Sequence, residues 1–282
     1  MSALLAAMVS AAVPAPAAEV AVSIKPVHSL VAGVMEGAGA PFLIVDGAAT
    51  PHDFALKPSA ARVLSRADLI FWVGPGFESF LARPLAALAQ DALVVTLTRD
   101  SGISLLDPVE EGDLHLWLDP GNARAITETA VRELSRLDPG NAALYRRNGE
   151  KVISRIGALE RELAERLAPL AGIPYMVYYD AFGYLERAFG LKAAGYASAG
   201  HEERPGAKSL AEARRILGAG VRCLFGDPGA SPRLMAAMVS GLEVESGILD
   251  PLGAAMEAGP EHYFRLMRAN ADALVRCLGG GG

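Results

Sequence analysis

The strongest hydrophobic periodicity in the chain lies near its middle, in residues 141–170. Apolar residues recur there at steps of three, four and seven, and Arg, Lys and Glu occupy most of the positions between them. The apolar positions are Tyr145, Val152, Ile156, Leu159, Leu163, Leu167 and Leu170. This spacing predicts one long amphipathic helix, roughly 45 Å in length at about 1.5 Å per residue. Turn residues on both sides, Pro139 and Gly140 before it and Gly172 and Pro174 after it, predict its ends.

The segments on either side of this helix show short apolar runs that alternate with helical patterns. The predicted strands are residues 19–24, 42–45, 69–73 and 93–97 before the helix, and 175–179, 191–196, 222–225 and 242–249 after it. Such alternation indicates βαβ units and mostly parallel sheets. It therefore favours an α/β fold in which two halves flank one long helix. The periodicity of the helix alone would fit a coiled-coil arm or a plain surface helix equally well.

These patterns divide the chain into an N-terminal α/β lobe at 19–137, a linking helix at 138–170 and a C-terminal α/β lobe at 171–282. Residues 1–18 are rich in Ala, Leu, Met and Val and finish in small residues, which is typical of a signal peptide. No Lys or Arg precedes Lys25, so the usual basic start of a signal peptide is missing. We interpret this segment as a signal peptide and expect export. Either the true start lies upstream, or the segment is a disordered Ala-rich leader.

Charge and apolar content narrow the class of partner. A net charge of −6 at pH 7 and the lack of a Lys/Arg cluster argue against a nucleic-acid partner, since phosphates need to be neutralised by basic side chains. Beyond the first segment, no apolar run reaches the roughly 18 residues that a membrane-spanning helix needs. We therefore expect an ordinary globular chain that is soluble once its first segment is accounted for.

Candidate metal ligands fall at predicted strand ends and in loops. His28, His52, His115 and His201 are four of the five histidines, and Asp250 closes the last predicted strand. Parallel α/β sheets bind ligands beyond the carboxyl ends of their strands. Imidazole together with a carboxylate suits zinc and neighbouring first-row metals. Each histidine taken singly is more often just a solvated side chain, so this hypothesis depends on the group.

The two cysteines, Cys223 and Cys277, allow two interpretations. One disulfide fits an oxidising compartment and would close a loop of about 54 residues. Two buried free thiols are the alternative.

A nucleophilic enzyme has no support, because the chain lacks a G-x-S-x-G elbow, a P-loop and an H-E-x-x-H pair.

A collinear series of motifs resembles the periplasmic zinc-binding proteins of ABC importers, the family called ZnuA. The motifs are SIKPVHSL at 23–30, PHDFALKPS at 51–59, VGPGFE at 73–78, HLWLDP at 115–120, DAFGYLERAFGL at 180–191 and LDPLG at 249–253. The resemblance implies a periplasmic protein of two α/β lobes joined by one long rigid helix, with one metal held in the cleft between the lobes. It also implies a disulfide in the second lobe, which Cys223 and Cys277 match. It also implies that Zn²⁺ is the transported substrate and that the partner is an ABC importer membrane permease. We expect a monomer.

The resemblance extends to individual ligands. His52 and His115 match the two metal-binding histidines of the first lobe, and Asp250 matches the carboxylate of the second. Tyr179 stands where the family has its third histidine, and a phenol with a pKa near 10 is a weak zinc ligand. Four solutions remain open at that position: Tyr179 as phenolate, a water, or a replacement ligand from His28 or His201.

Another departure from the family is the loop before His115, which lacks the family's run of histidines and carries only Glu110, Glu111 and Asp113.

Taken together, the motifs and candidate ligands predict a metal receptor, not an enzyme, with zinc as the first candidate. A receptor for iron or manganese through a site that contains Tyr179 is the alternative. A metal-dependent hydrolase and a surface adhesin on the same scaffold are further alternatives.

Overall fold

The computed structural model describes residues 18–46, 56–106, 112–198 and 206–280. His52, His201, Glu110 and Glu111 lie outside the described residues, as do 1–17 and 281–282.

The first lobe is built on a parallel sheet with the strand order β2-β1-β3-β4. Its strands are β1 (Val20–Val22), β2 (Phe42–Leu43), β3 (Leu69–Trp72) and β4 (Leu93–Thr96). Its helices are α1 (Lys25–Met35), α2 (Pro58–Leu64), α3 (Ser79–Leu88) and α4 (Pro120–Leu137). Every residue of β1 and β3 is buried, as expected for strands covered on both faces. This is why both read as continuous apolar runs in the sequence.

The predicted long helix is α5 (Ala142–Leu167), which continues as a 3-10 turn at Ala168–Leu170. All seven of the periodic apolar residues, from Tyr145 to Leu170, are buried. Asn141 precedes the helix, but its side chain donates to Asp138 Oδ2 at 2.7 Å instead of capping a helix amide. The helix packs on α1 and α4, so the hydrophobic stripe faces the first lobe along much of its length.

The second lobe repeats the same topology, with the strand order β6-β5-β7-β8 and all pairs parallel. Its strands are β5 (Tyr175–Tyr179), β6 (Ala193–Ser198), β7 (Cys223–Gly226) and β8 (Glu245–Ile248). Its helices are α6 (Gly183–Phe189), α7 (Ala207–Leu217), α8 (Pro232–Val239) and α9 (His262–Leu278). The prediction of two α/β lobes with parallel sheets and one long helix is confirmed.

The last helix, α9, packs on both α1 and α5, although it follows the second sheet in the chain. Arg155–Glu261 and Arg268–Glu162 are ion pairs between α5 and α9. Because these pairs are exposed, each contributes little, about 0–1 kcal/mol. The buried apolar faces of α1, α5 and α9 therefore contribute more to the packing of these three helices than the ion pairs do.

A disulfide joins Cys223, the first residue of β7, to Cys277 near the end of α9, with the two Cα atoms 6.2 Å apart. It confirms the disulfide that the family resemblance implied. The bond ties α9 to the second sheet, where the helix also contacts β8, while other parts of α9 pack on α1 and α5. None of the helices in the described segments is long and apolar enough to cross a bilayer.

Candidate functional site

His115 is a buried histidine in the loop that leads into α4, and only one of its two ring nitrogens has a hydrogen-bond partner among the described residues. Its Nδ1 atom lies 2.7 Å from Asp113 Oδ1, which also accepts the backbone amide of His115 at 2.8 Å. A carboxylate accepts only, so Nδ1 carries a proton, and in the neutral ring Nε2 presents its lone pair. Within the described residues, Nε2 is buried and has no hydrogen-bond partner. A histidine oriented in this way by a carboxylate is the usual arrangement at protein metal sites.

Three aromatic rings from both lobes surround His115. The ring centroids of Phe77 and Trp117, in the first lobe, lie 5.1 Å and 5.2 Å from that of His115. Tyr179, the last residue of β5 in the second lobe, lies at 5.6 Å. The structure thus brings two of the sequence-predicted site residues, His115 and Tyr179, together across the lobes.

The phenol of Tyr179 is held in its neutral form. Burial raises its pKa well above the ordinary value for tyrosine, and the negative charges of Asp113, Asp180 and Asp227 raise the pKa further. The same environment acts on Asp180, whose pKa is raised by burial first and by Asp113 second. An excess of carboxylates around Tyr179 is a setting in which a bound cation would be favoured.

Asp113 also connects the two lobes. Its second oxygen, Oδ2, accepts the backbone amide of Gly183 at the start of α6, at 2.8 Å. From the sequence, Asp113 was identified only as one of the acids in the preceding loop, and its role was not predicted. Its position two residues before His115 is the spacing at which an Asp side chain accepts a nearby backbone amide, and this signal could have identified it.

Asp250 lies just after β8, and its carboxylate accepts backbone amides of the loop that follows it. Oδ1 accepts the amides of Leu252 at 2.9 Å and Gly253 at 2.8 Å, and Oδ2 accepts the amide of Ala254 at 2.9 Å. The ring nitrogen of Trp117 donates to the carbonyl of Pro251 at 2.7 Å. Trp117 therefore contacts His115 on one side and the Asp250 loop on the other, so that it joins the candidate ligands of the two lobes.

His28, a candidate replacement ligand, lies in a different environment. Its Nε2 atom contacts the carbonyl of Pro41 at 3.0 Å, and its electrostatic neighbours are His262 and Asp46. Burial is the main cause that lowers its pKa. Among the described residues, no hydrogen bond or ring contact joins His28 to His115. His28 as a replacement ligand stays a prediction.

The described segments contain no group of three or more His, Cys, Asp or Glu side chains placed closely enough to hold a metal. They do contain four of the six predicted or possible ligands: His115, Tyr179, Asp250 and His28. The other two, His52 and His201, lie outside the described residues, so the geometry of the complete set stays a prediction.

Several solved structures share this fold. A crystal structure described as ZnuA matches 92% of this chain and 99% of its own, with a TM-score of 0.78 and 22% identity. The solute-binding protein FpvC of Pseudomonas aeruginosa, solved in complex with Ni²⁺, matches 94% of this chain and 98% of its own, with a TM-score of 0.82 and 21% identity. At this level of identity, the likeness establishes the fold.

Sequence relatives establish the family. The high-affinity zinc uptake system protein ZnuA of Brucella abortus is 35% identical over 92% of this chain and 91% of its own length. The protein of the same description from Paracoccus denitrificans is 33% identical over 98% of this chain and 97% of its own length. The family described as ZnuA, the periplasmic component A of the zinc-uptake complex, matches residues 20–277. The chain belongs to the ZnuA family.

Proposed function

We propose that this protein is a periplasmic solute-binding protein that captures zinc between its lobes and delivers the ion to the membrane permease of an ABC importer. His52, His115 and Asp250 would bind the metal. The single observation that carries the proposal is the Nε2 atom of His115, which is buried, oriented by Asp113 and without a partner among the described residues. A buried polar atom without a partner is costly, and a metal ion would satisfy it.

The carboxylate of Asp250 is compatible with binding through one oxygen. Two carboxylate oxygens together offer about four lone-pair positions. Leu252 and Gly253 occupy both positions on Oδ1, whereas Ala254 occupies one on Oδ2. Oδ2 therefore has the capacity to bind a cation without breaking any of the three amide contacts.

Zinc is favoured by the donor set and by the family, while Tyr179 supports a second candidate. With its pKa raised by burial and nearby carboxylates, the phenol binds zinc poorly unless the metal removes its proton. A zinc site would then use His201 or a water in the third position. A Tyr179 phenolate would instead favour a harder ion such as iron, or manganese bound mainly through oxygen. The contact between Tyr179 and His115 is the observation that favours this second candidate.

Metal analysis of the purified protein tests the proposal. The wild type is compared with His115→Ala, Tyr179→His and His201→Ala by elemental analysis and by competition with a zinc chelator. We expect one zinc in the wild type, loss of zinc in His115→Ala, and weaker binding in His201→Ala. Iron or manganese in the wild type, with zinc gained in Tyr179→His, would support the second candidate. Absence of any metal from the wild type would refute both.

A hydrolase would need a water on the metal and a general base beside it. Asp180 is the carboxyl that could serve as the base, and burial raises its pKa. The zinc-loaded protein should nevertheless fail to hydrolyse ester and phosphate substrates, because the proposed ion is cargo held for transfer. Hydrolysis that disappears in Asp180→Asn would count against the transport proposal.

A further inference from the structure

The loop that carries Asp250 is fixed by a lysine from the opposite lobe. Lys25, at the start of α1, is only 8% exposed. Its Nζ atom donates to the carbonyls of Ala254 at 2.7 Å and Met256 at 2.9 Å. A buried ammonium group is costly to desolvate, and two carbonyl acceptors offset part of that cost. Along the chain, Lys25 precedes Ala254 by 229 positions and Met256 by 231.

Ala254 connects Lys25 to the carboxylate of Asp250. The carbonyl of Ala254 accepts from Lys25, and its amide donates to Asp250 Oδ2 at 2.9 Å. Oδ2 accepts only one backbone amide, so it still has a lone pair available for a cation. The position of Ala254 therefore helps to fix the orientation of this oxygen, together with the two amides that donate to Oδ1.

The remaining contacts hold the other parts of the same loop. Trp117 donates to the carbonyl of Pro251, and His262 contacts the carbonyl of Leu252 at 2.8 Å. Gly253 has a φ of +64°, and a Cβ there would lie 2.7 Å from the His262 ring. The loop is thus held at Pro251 and Leu252 by these two rings, while Lys25 holds its far end at Ala254 and Met256.

We infer that Lys25 is a positioning residue for metal binding: through Ala254 it holds the Asp250 carboxylate in the orientation that binds the ion. This inference rests on the proposed function. Groups that orient metal ligands from the second layer typically change metal affinity about 10- to 100-fold when they are removed.

The first test is a double-mutant cycle on zinc affinity. Lys25→Met should raise the zinc dissociation constant about 10-fold or more. In an Asp250→Asn background, the same change should have little further effect, because the group that Lys25 orients is already altered. Lys151→Met, which removes the same charge from an exposed position on α5, is the matched control and should leave affinity unchanged. An equal effect of Lys25→Met in both backgrounds, or no effect in either, would overturn the inference.

The second test needs no metal and so separates this inference from the proposed function. Amide hydrogen exchange of the metal-free protein should be at least about 10-fold faster at Leu252, Gly253 and Ala254 in Lys25→Met, the lower end of what a hydrogen bond to a charged group is worth. The amide of Leu224, buried in β7, should exchange as in the wild type. Faster exchange throughout would indicate a general loss of stability and would contradict a local role. Protein that binds no zinc but shows the local change would refute the proposed function alone.

Discussion

Asp113 holds His115 at two points: one carboxylate oxygen accepts both the ring Nδ1–H at 2.7 Å and the backbone amide of the same residue at 2.8 Å. The other oxygen accepts the amide of Gly183 in the second lobe. One side chain therefore orients the candidate ligand, sets its tautomer and connects the lobes beside it.

Replacing this carboxylate should weaken metal binding more than it weakens the fold. In Asp113→Asn, one of the two side-chain atoms becomes a donor and faces a group that also donates. We expect zinc affinity to fall about 10- to 100-fold in a chelator competition. Asp91→Asn, at an exposed position, is the control for the change in charge. Unchanged affinity in Asp113→Asn would show that His115 does not depend on this carboxylate.

The disulfide between β7 and α9 should be a large contributor to stability. It closes a loop of 54 residues, which the chain-entropy estimate values at roughly 4 kcal/mol. Cys223→Ala/Cys277→Ala should unfold at a lower denaturant concentration than the oxidised wild type. Because the chain has only these two cysteines, a reductant should destabilise the wild type and leave the double variant unaffected. A response of the double variant to reductant would contradict this account.

Glu78 should make stability depend on pH. The side chain is fully buried, and its Oε2 atom accepts the amides of Val73 and Gly74. Burial raises its pKa to about 7. The folded state then binds this proton more tightly than the unfolded state, so stability falls as the pH rises toward 7 and the loss is complete above it.

Glu78→Gln should remove that dependence, because the amide oxygen can still accept both backbone amides without a charge. We expect the variant to be more stable than the wild type at pH 8 by up to about 3 kcal/mol, and by little at pH 4.5. Denaturant unfolding at both pH values measures this. Parallel pH profiles for the two proteins would mean that another group causes the dependence.

Gly149 allows α5 to approach α4 closely. A Cβ at Gly149 would lie 2.3 Å from Cγ2 of Val131. Gly149→Ala should therefore destabilise the protein by about 1–3 kcal/mol, as overpacking does. The additional change Val131→Ala should recover much of this loss, because it removes the methyl group in conflict.

Gly157 on the same helix is the matched control. The nearest atom to a Cβ there is the flexible end of Arg161, at 3.6 Å. Gly157→Ala should stabilise the helix by about 0.5–1 kcal/mol, since alanine loses less backbone entropy than glycine. Thermal unfolding of the variants measures both effects. Destabilisation by Gly157→Ala of the same size as by Gly149→Ala would show that the helix, and not its contact with α4, is the cause.

The element pattern was predictable from the sequence, with errors at the ends. The long helix agrees with α5 because seven buried apolar residues repeat along one face. The predicted strand at 42–45 is only Phe42–Leu43 in the sheet, and the one at 191–196 is displaced to Ala193–Ser198. Both β2 and β6 are edge strands, where pairing on one side alone leaves the ends poorly determined by hydrophobicity.

The candidate site was predictable in part. His115, Asp250 and Tyr179 were identified by motif resemblance, and two of them, His115 and Tyr179, are in ring contact. The supporting residues Asp113, Trp117 and Lys25 were not identified as such, because their roles depend on contacts between elements.

By itself, the sequence determined which segments form helices and strands, their alternation, and the family to which the chain belongs. Those features follow from residues a few positions apart, where periodicity and motifs record them. Only the tertiary structure decided that Trp117 donates to Pro251 and Lys25 to Ala254, across 134 and 229 residues. Pairs at such separations form because two lobes close on a shared layer of helices, and no local spacing of residues encodes that packing.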